Sequence, residues 1–447
     1  MRTFVFFVML FAFCLYAQTV SLSLKDAIDI AVSKNEKILS ANENINYARG
    51  YKTEARGKML PSISISGGWT RINDNLDLEI DPNGMFSGNP VLSNMLGTLP
   101  NFKKRMQNES FWNLSAQAQW TIFAGGRIWS GYKAADDAEI SAEAKKSTVQ
   151  GEVAKETAFR FFTAMLAESV KSVQEQNLQT IAQHFENTEK LEKAGQIAIA
   201  EKLRAEVAFA EAKRNMEDAK RNAGLAKLAL ASSIKSDTNF TLAASWKKSE
   251  PPAKIQLLTE KIFAKNPQLL QIRSEEKRAL SGISASRGEW LPALALFGIR
   301  ELYTGDLTIL QPAWAVGIKA EWNLFSGGTT LGKYQASKSQ ARSLNYLQEQ
   351  AKGDLELAAE KYLREWSAAN AKLESLEKTE ELAQESLRAQ TKAFAAGMAT
   401  GLDVIDAQFA LSRIALAKYA SYFEAYSAII SIQELCGETE TLGEILK

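Results

Sequence analysis

The chain has 447 residues, with 53 Lys and Arg against 52 Asp and Glu and a formal net charge of +1 at pH 7. That length allows two to four ordinary domains, and the charge balance argues against a nucleic-acid or anionic-surface partner. Of the 2 cysteines, Cys14 lies in an N-terminal leader, so an exported form would keep Cys436 alone and stand without an internal disulfide.

Residues 1–17 read as a secretory signal peptide: a basic start at Arg2, an apolar run from Phe4 to Leu15, then Tyr16-Ala17-Gln18. Leu15 is larger than the residue usual three places before a cut. Cys14 leaves a lipid-anchored N-terminus as an alternative, although Phe13 stands where a lipoprotein signal carries a small residue. Beyond residue 20 no stretch reaches the roughly 18 to 20 apolar residues of a transmembrane helix. Entry into a membrane would therefore require a barrel.

Leu24 to Arg56 carries apolar residues at helical spacing and ends before Leu60-Pro61, where proline suits the start of a strand. The period then becomes two, with Ser62, Ser64 and Ser66 alternating with Ile63, Ile65 and Gly67. Asn73 to Glu109, rich in Gly, Pro, Asn and Asp, reads as a long surface loop. The next strand is the clearest: Trp112, Leu114, Ala116, Ala118, Trp120 and Ile122 on one face, Asn113, Ser115, Gln117, Gln119 and Thr121 on the other. Trp112 and Trp120 are eight residues apart on one face, roughly 27 Å along a strand. With strand tilt, that suits two aromatic girdles around an apolar band of about 25 Å. A half-buried strand of a soluble sandwich would also alternate.

Gly125-Gly126 permits a sharp exit, and some 70 residues without proline follow at helical spacing, about 100 Å of helix. Gly195 interrupts the pattern, and a second helix returns from Ala200 to Lys235, its alanines suited to coiled-coil packing. Thr238 to Ala253, with Pro251-Pro252, is a linker.

The order then repeats. Leu60-Pro61 recurs as Leu291-Pro292, a step of 231 residues; Trp120 to Gly126 recurs as Trp322 to Gly328, and Gly195 as Gly397, both steps of 202. The excess of 29 residues is an insertion between the two strands of the first copy. In the second copy Trp314, Val316, Ile318, Ala320, Trp322 and Leu324 share the apolar face, and Gly327-Gly328 marks the exit. Seven of 9 tryptophans lie at or beside these strands. The expected division is a signal peptide at 1–17, a first repeat at 18–240, a linker at 241–254, a second repeat at 255–437 and a tail at 438–447.

Four strands per chain cannot close a barrel, and open sheet edges are not tolerated in lipid. Two chains give eight strands, too few for an open lumen; three give 12, the smallest symmetric solution with a pore. The fold class expected is an α+β membrane protein, a trimeric 12-stranded β-barrel continued by a coiled-coil α-helical tunnel.

Leu-Pro before a strand, Phe-x-Gly-Gly opening a long helix, and Gly397-Met-Ala-Thr-Gly-Leu-Asp-Val-Ile-Asp-Ala-Gln408 after a hairpin tip together resemble the TolC-like outer-membrane efflux proteins, over nearly the whole mature chain. The resemblance implies an outer-membrane homotrimer extending into the periplasm, an exit duct for small molecules. Its implied partners are a periplasmic adaptor (membrane fusion) protein, an inner-membrane transporter of the RND or ABC type, and outer-membrane lipid. It also implies a periplasmic gate at Asp403 and Asp406, matched in the first copy by Glu201 and Arg204, and adaptor contacts at Gly195, Gln196, Ile197, Gly397, Met398, Ala399 and Thr400. Rings of like charge favour cations and should raise and couple the carboxyl pKa values. First-turn carboxylates can instead simply offset a helix dipole. Phe394 and Ala399 stand where the family usually places a latching tyrosine and arginine, so the latch must differ.

No phosphate loop, nucleophile elbow or zinc pattern is present, and His184, the single histidine, has no ligand-spaced neighbours. No enzyme, cofactor or metal is expected. The alternatives are the outlet of a type I protein secretion system and a periplasmic coiled-coil stalk or adhesin. A stalk has no reason to place two tryptophans per strand at bilayer spacing.

Overall fold

The computed structural model describes residues 20–86, 88–96, 100–308 and 311–445, and the expected signal peptide lies outside them. The elements are, in order, β1 Val20–Leu22, α1 Leu24–Lys34, α2 Glu36–Gly57, β2 Ser62–Arg71, β3 Leu76–Ile80, α3 Pro82–Phe86, α4 Pro90–Leu96, β4 Phe102–Gln107 and β5 Ser110–Ala124. They continue with α5 Arg127–Lys193, α6 Ile199–Ile234, β6 Phe240–Leu242, α7 Ile255–Lys265, α8 Pro267–Gly288, β7 Ala293–Glu301, β8 Trp314–Glu321, α9 Thr329–Ala395, α10 Gly401–Leu435 and a terminal 3-10 turn Thr439–Glu444. The chain forms two compact units, each drawing on both sequence halves.

The first helix expected from sequence is two helices. Ser23 and Asp26 close a capping box at the start of α1, and the helix stops at Asn35, whose backbone is extended. The Asn35 side-chain oxygen then accepts the Lys37 amide at 2.9 Å, starting α2 afresh. The same break recurs between α7 and α8, where Asn266 accepts the Leu269 amide at 3.1 Å and Pro267 occupies the first helical position.

The helical unit comprises the chain up to Ile45, Ala142–Ile272 and Leu347 onward. β1 and β6 pair in parallel there, Val20 opposite Phe240. The main core gathers Leu24, Phe161, Phe162, Leu230, Ile234, Tyr426 and Ile430. Phe162 is fully buried and stacks on Tyr426 with centroids 4.6 Å apart. Truncation of Phe162 to alanine should cost about 3–5 kcal/mol, measurable as a lowered midpoint of thermal unfolding of the purified protein. On α6 the buried face runs through Ala205, Ala208, Ala212, Ala219 and Ala223, a narrow seam at three-, four- and seven-residue steps, and ends on Leu230, Ala231 and Ile234. The linker is tied down: Tyr426 donates to the Lys247 carbonyl at 3.0 Å, Trp246 Nε1 to Ser169 at 2.9 Å, and Trp366 Nε1 to Ser249 at 2.9 Å. Cys436 is buried, and burial pushes its thiol pKa up to about 11.

The second unit comprises Asn46–Ser141 and Arg273–Tyr346. Its main sheet has the order β2-β5-β7-β8, antiparallel throughout, with Ile63 opposite Ala118, Trp120 opposite Leu296 and Leu296 opposite Ile318. The long loop expected over 73–109 instead contains the β3–β4 hairpin with α3 and α4 at its end. Its strands were hidden by charge: Asp77 and Glu79 on β3 pair with Arg105 and Lys103 on β4. The last strand is shorter than its alternation predicts. β8 ends at Glu321, opposite Ala293, because β7 begins there and offers no partner to Trp322 or Leu324.

Candidate functional site

The sheet has two chemically different faces. Ile63, Ile65, Trp112, Trp120, Trp314, Val316 and Ile318 share one face by register, and all are exposed, Ile63 at 78% and Val316 at 73%. A soluble sandwich would bury them; a lipid-facing wall leaves them out. The other face carries Ser64, Ser66, Gln117, Gln119 and Lys319, as the alternation predicts. It also carries the apolar Phe297 and Ile299, opposite Gln119 and Gln117. The Phe297 ring lies over Gly317, where a β-carbon would sit 2.8 Å from its tip.

Trp120 and Trp322, two of the four tryptophans expected to form girdles, are anchored at one end of each strand pair. Trp120 Nε1 donates to the Met59 carbonyl at 2.9 Å, and Trp322 Nε1 donates to the Trp290 carbonyl at 3.1 Å. At the other end the Trp112 amide donates to the Asp306 carboxylate at 2.9 Å. The Trp120 and Trp322 indoles thus keep their polar edges satisfied, while Trp112 is held through its backbone amide. The exit glycines Gly125, Gly126, Gly327 and Gly328 all have positive φ.

The hairpin tips are glycine-capped. After α5, Gly195 has φ +70 and the Gln196 amide donates to the Leu191 carbonyl at 2.9 Å; after α9, Gly397 has φ +71 and the Met398 amide donates to the Ala393 carbonyl at 2.8 Å. Gln196 and Met398 are exposed, whereas Ile197 and Ala399 are half-buried. The two returning helices start differently. Thr400 and Asp403 form a capping box on α10, while Ala198 gives α6 no side-chain cap.

Asp403 and Asp406 are both exposed on the first turns of α10. The Thr400 hydroxyl and amide hold the Asp403 carboxyl below the usual carboxylate range. The expected upward shift came from neighbouring copies of the ring; within one chain the cap acts in the opposite direction. Glu201 and Arg204 do not sit apart as independent charges but form an ion pair at 2.8 Å. The other Glu201 oxygen, Oε2, is buried without a hydrogen-bond partner beside Gly401.

Three residues missing from the expected gate converge here. His184 of α5 is 7% exposed and packs against Phe394 of α9, ring centroids 4.9 Å apart. Phe394, at the position where the resemblance implies a latch, makes a ring contact with His184. Gly401 leaves little room for a side chain, since its β-carbon would lie 3.0 Å from Glu201 Oε2 and 3.3 Å from His184 Nε2 and both side chains would have to shift. Further along, Gln408 and Ser412 of α10 both donate to Asn177 of α5, at 3.0 and 3.1 Å, and tie the two hairpins through buried polar contacts. Among the described residues no group of three or more His, Cys, Asp or Glu is placed to hold a metal, and no helix is long and apolar enough to cross a membrane.

Over 187 residues the chain is 27% identical to the alkaline protease secretion protein AprF of Pseudomonas aeruginosa, a match covering 40% of this chain and 38% of that relative's length. In fold it is similar to the Vibrio cholerae outer membrane protein VceC, with a TM-score of 0.75, 15% identity and coverage of 93% of this chain and 96% of the other. The open-state MtrE outer membrane channel of Neisseria gonorrhoeae gives a TM-score of 0.72 at 19% identity, covering 95% and 90%. CusC, whose structures concern folding and transmembrane channel formation, gives 0.77 at 15% identity, covering 94% and 92%. The family model for outer membrane efflux proteins matches residues 27–234 and again 258–431, and on that double match the chain belongs to the outer membrane efflux protein family.

Proposed function

We propose that three copies of this chain form one outer-membrane exit duct, with a shared 12-stranded barrel and with the helical hairpins as its periplasmic conduit. The observation that carries this reading is the four-stranded sheet, whose apolar face is exposed and whose outer strands, β2 and β8, each pair on one side within the chain. In lipid those edges must be paired, and further copies of the same sheet supply partners of matching chemistry.

A second contact supports closure by identical copies. Gly125, after β5, meets Gly288 at the end of α8 so closely that a β-carbon on Gly125 would lie 2.3 Å from the Gly288 carbonyl oxygen. The residues one repeat step away are Gly327, after β8, and Gly57, at the end of α2, and around both there is open space. Paired helix lengths support the duplication: 11 residues in α1 and α7, 22 in α2 and α8, and 67 in α5 and α9. The seam that joins the two halves within a chain is thus available to join Gly327 of one copy to Gly57 of the next.

The domain division follows the repeats, 18–240 and 255–437, around the linker at 241–254. The tips at Gly195 to Ile197 and Gly397 to Thr400 would meet a periplasmic adaptor, which couples the duct to an inner-membrane transporter of the RND or ABC type. Asp403 and Asp406, with Glu201 and Arg204, would line the periplasmic constriction. The cargo is small molecules. A second reading, the outlet of a type I protein secretion system, is favoured by the similarity to AprF, whose name is that of a protease secretion protein.

Trimer closure is testable by crosslinking. With Lys58→Cys and Ser326→Cys in one chain, a short bismaleimide should give a ladder ending at three chains in outer-membrane fractions. A single-chain band alone would refute the proposed seam.

A further inference from the structure

His184 is the chain's only histidine, and it sits where all four hairpin helices meet. Its own helix, α5, uses the Thr188 hydroxyl on the His184 carbonyl at 2.8 Å, which leaves the ring to the other three. From α9 it meets the uncharged Phe394 ring, and from α10 the Gly401 backbone, which the buried Nε2 faces without a hydrogen bond of ordinary geometry while the backbone still favours the protonated ring. From α6 it faces Glu201, whose Oε1 holds Arg204 at 2.8 Å and whose Oε2 is buried and unpartnered on the far side of the same glycine. The Asp403 carboxylate is turned to its cap on Thr400, and Lys202 to Glu192 at 3.8 Å. Two orphaned polar atoms therefore converge on one backbone position, in a cluster that exists only while the first and second hairpins stay together.

We propose that His184 is a proton-operated tie between the two hairpins: neutral, it stays packed among the four helices and holds the tips together; protonated, it is driven toward water and the second hairpin parts from the first. Its consequence for transport rests on the duct reading above, with the parted tips as the open state.

The sign follows from burial against charge. Burial holds the His184 pKa below the ordinary histidine value, and the Glu201 carboxylate and Gly401 backbone pull it upward without overcoming that. A group whose pKa is depressed in the packed state binds its proton more readily once solvated. The packed arrangement is therefore intact above the solvated value of about 6.5 and is lost as pH falls below it. One site per protomer changes the packed-to-parted ratio by at most about tenfold per pH unit.

With a single histidine, one 13C-labelled imidazole signal in the detergent-purified full chain reports this titration directly. Its midpoint should fall below about 6.5, and Glu201→Gln should lower it further by removing the attraction. Spin labels at Gln196→Cys and Met398→Cys should move apart between about pH 7.5 and about pH 5, and the buried Cys436 should not take label. His184→Gln and His184→Phe should both abolish that pH response. A midpoint above about 6.5 would mean that Glu201 prevails and acid tightens the tie, overturning the proposal. An unchanged response in both variants would overturn it as well. Absence of bilayer conductance at every pH would count against the duct reading, and the label distances would still decide the tie.

Discussion

Gly125→Val should yield no assembled protein in the outer membrane, whereas Gly126→Ala, one residue on, should assemble with modest loss of stability. Both glycines have positive φ, +61 and +79, so any side chain there is strained. That strain alone is about 1–2 kcal/mol and explains only the milder effect. What separates them is space. A β-carbon on Gly125 would stand 2.3 Å from the Gly288 carbonyl oxygen, and one on Gly288 would stand 2.2 Å from the Gly125 oxygen, whereas Gly126 has nothing within 4 Å. Both partners at the first position are backbone, so neither can turn away as a side chain would, and overpacking adds about 3 kcal/mol, the upper end of its usual range. The measurement is the yield of heat-modifiable assembled protein. Wild-type yield from Gly125→Val would mean that the close approach is not a feature of the assembled wall. Gly327→Val provides the matching test of the seam between copies: its positive φ strains the lone chain as at Gly126, but nothing lies within 4 Å, so a loss at assembly greater than that of Gly328→Val marks the seam.

The alternation around Trp112 and Trp120 was legible because a two-faced wall dictates each residue along a strand, and the long helices because proline is absent and apolar spacing continues. Local side-chain competition was harder to see. Asn35 looks like any polar helix residue, yet its carbonyl oxygen caps the following turn and divides α1 from α2. The β3–β4 hairpin was masked because its cross-strand pairs are ionic, so its alternation looked like loop polarity. The end of β8 depends on where β7 begins, a fact of pairing that Trp322 and Leu324 do not carry themselves. At the tips, the glycines and the Thr400 to Asp403 spacing could be read in sequence. His184 could not, because its neighbours Phe394, Gly401 and Glu201 come from three other helices.

Asp403→Asn combined with Asp406→Asn is expected to remove most of the cation preference of the bilayer conductance and to weaken block by multivalent cations on the order of a hundredfold. In a trimer the pair places six carboxylates around the axis. At a separation of about 8 Å in water each contributes roughly 1 kcal/mol to a divalent ion before screening, so partial screening still leaves a few kcal/mol. Asparagine keeps an acceptor for the Thr400 amide, so the helix start survives the change and the effect isolates charge. Acid should act on the Asp403 charge in a defined direction. Because Thr400 holds the Asp403 carboxyl below the usual range, its charge is present above the solvated value of about 3.9 and is lost only as pH falls through the lower, capped value. Thr400→Val removes the hydroxyl and should move the loss of block to higher pH. If the double variant blocks as the wild type does, the constriction lies elsewhere in the conduit and Asp403 serves its helix as a cap.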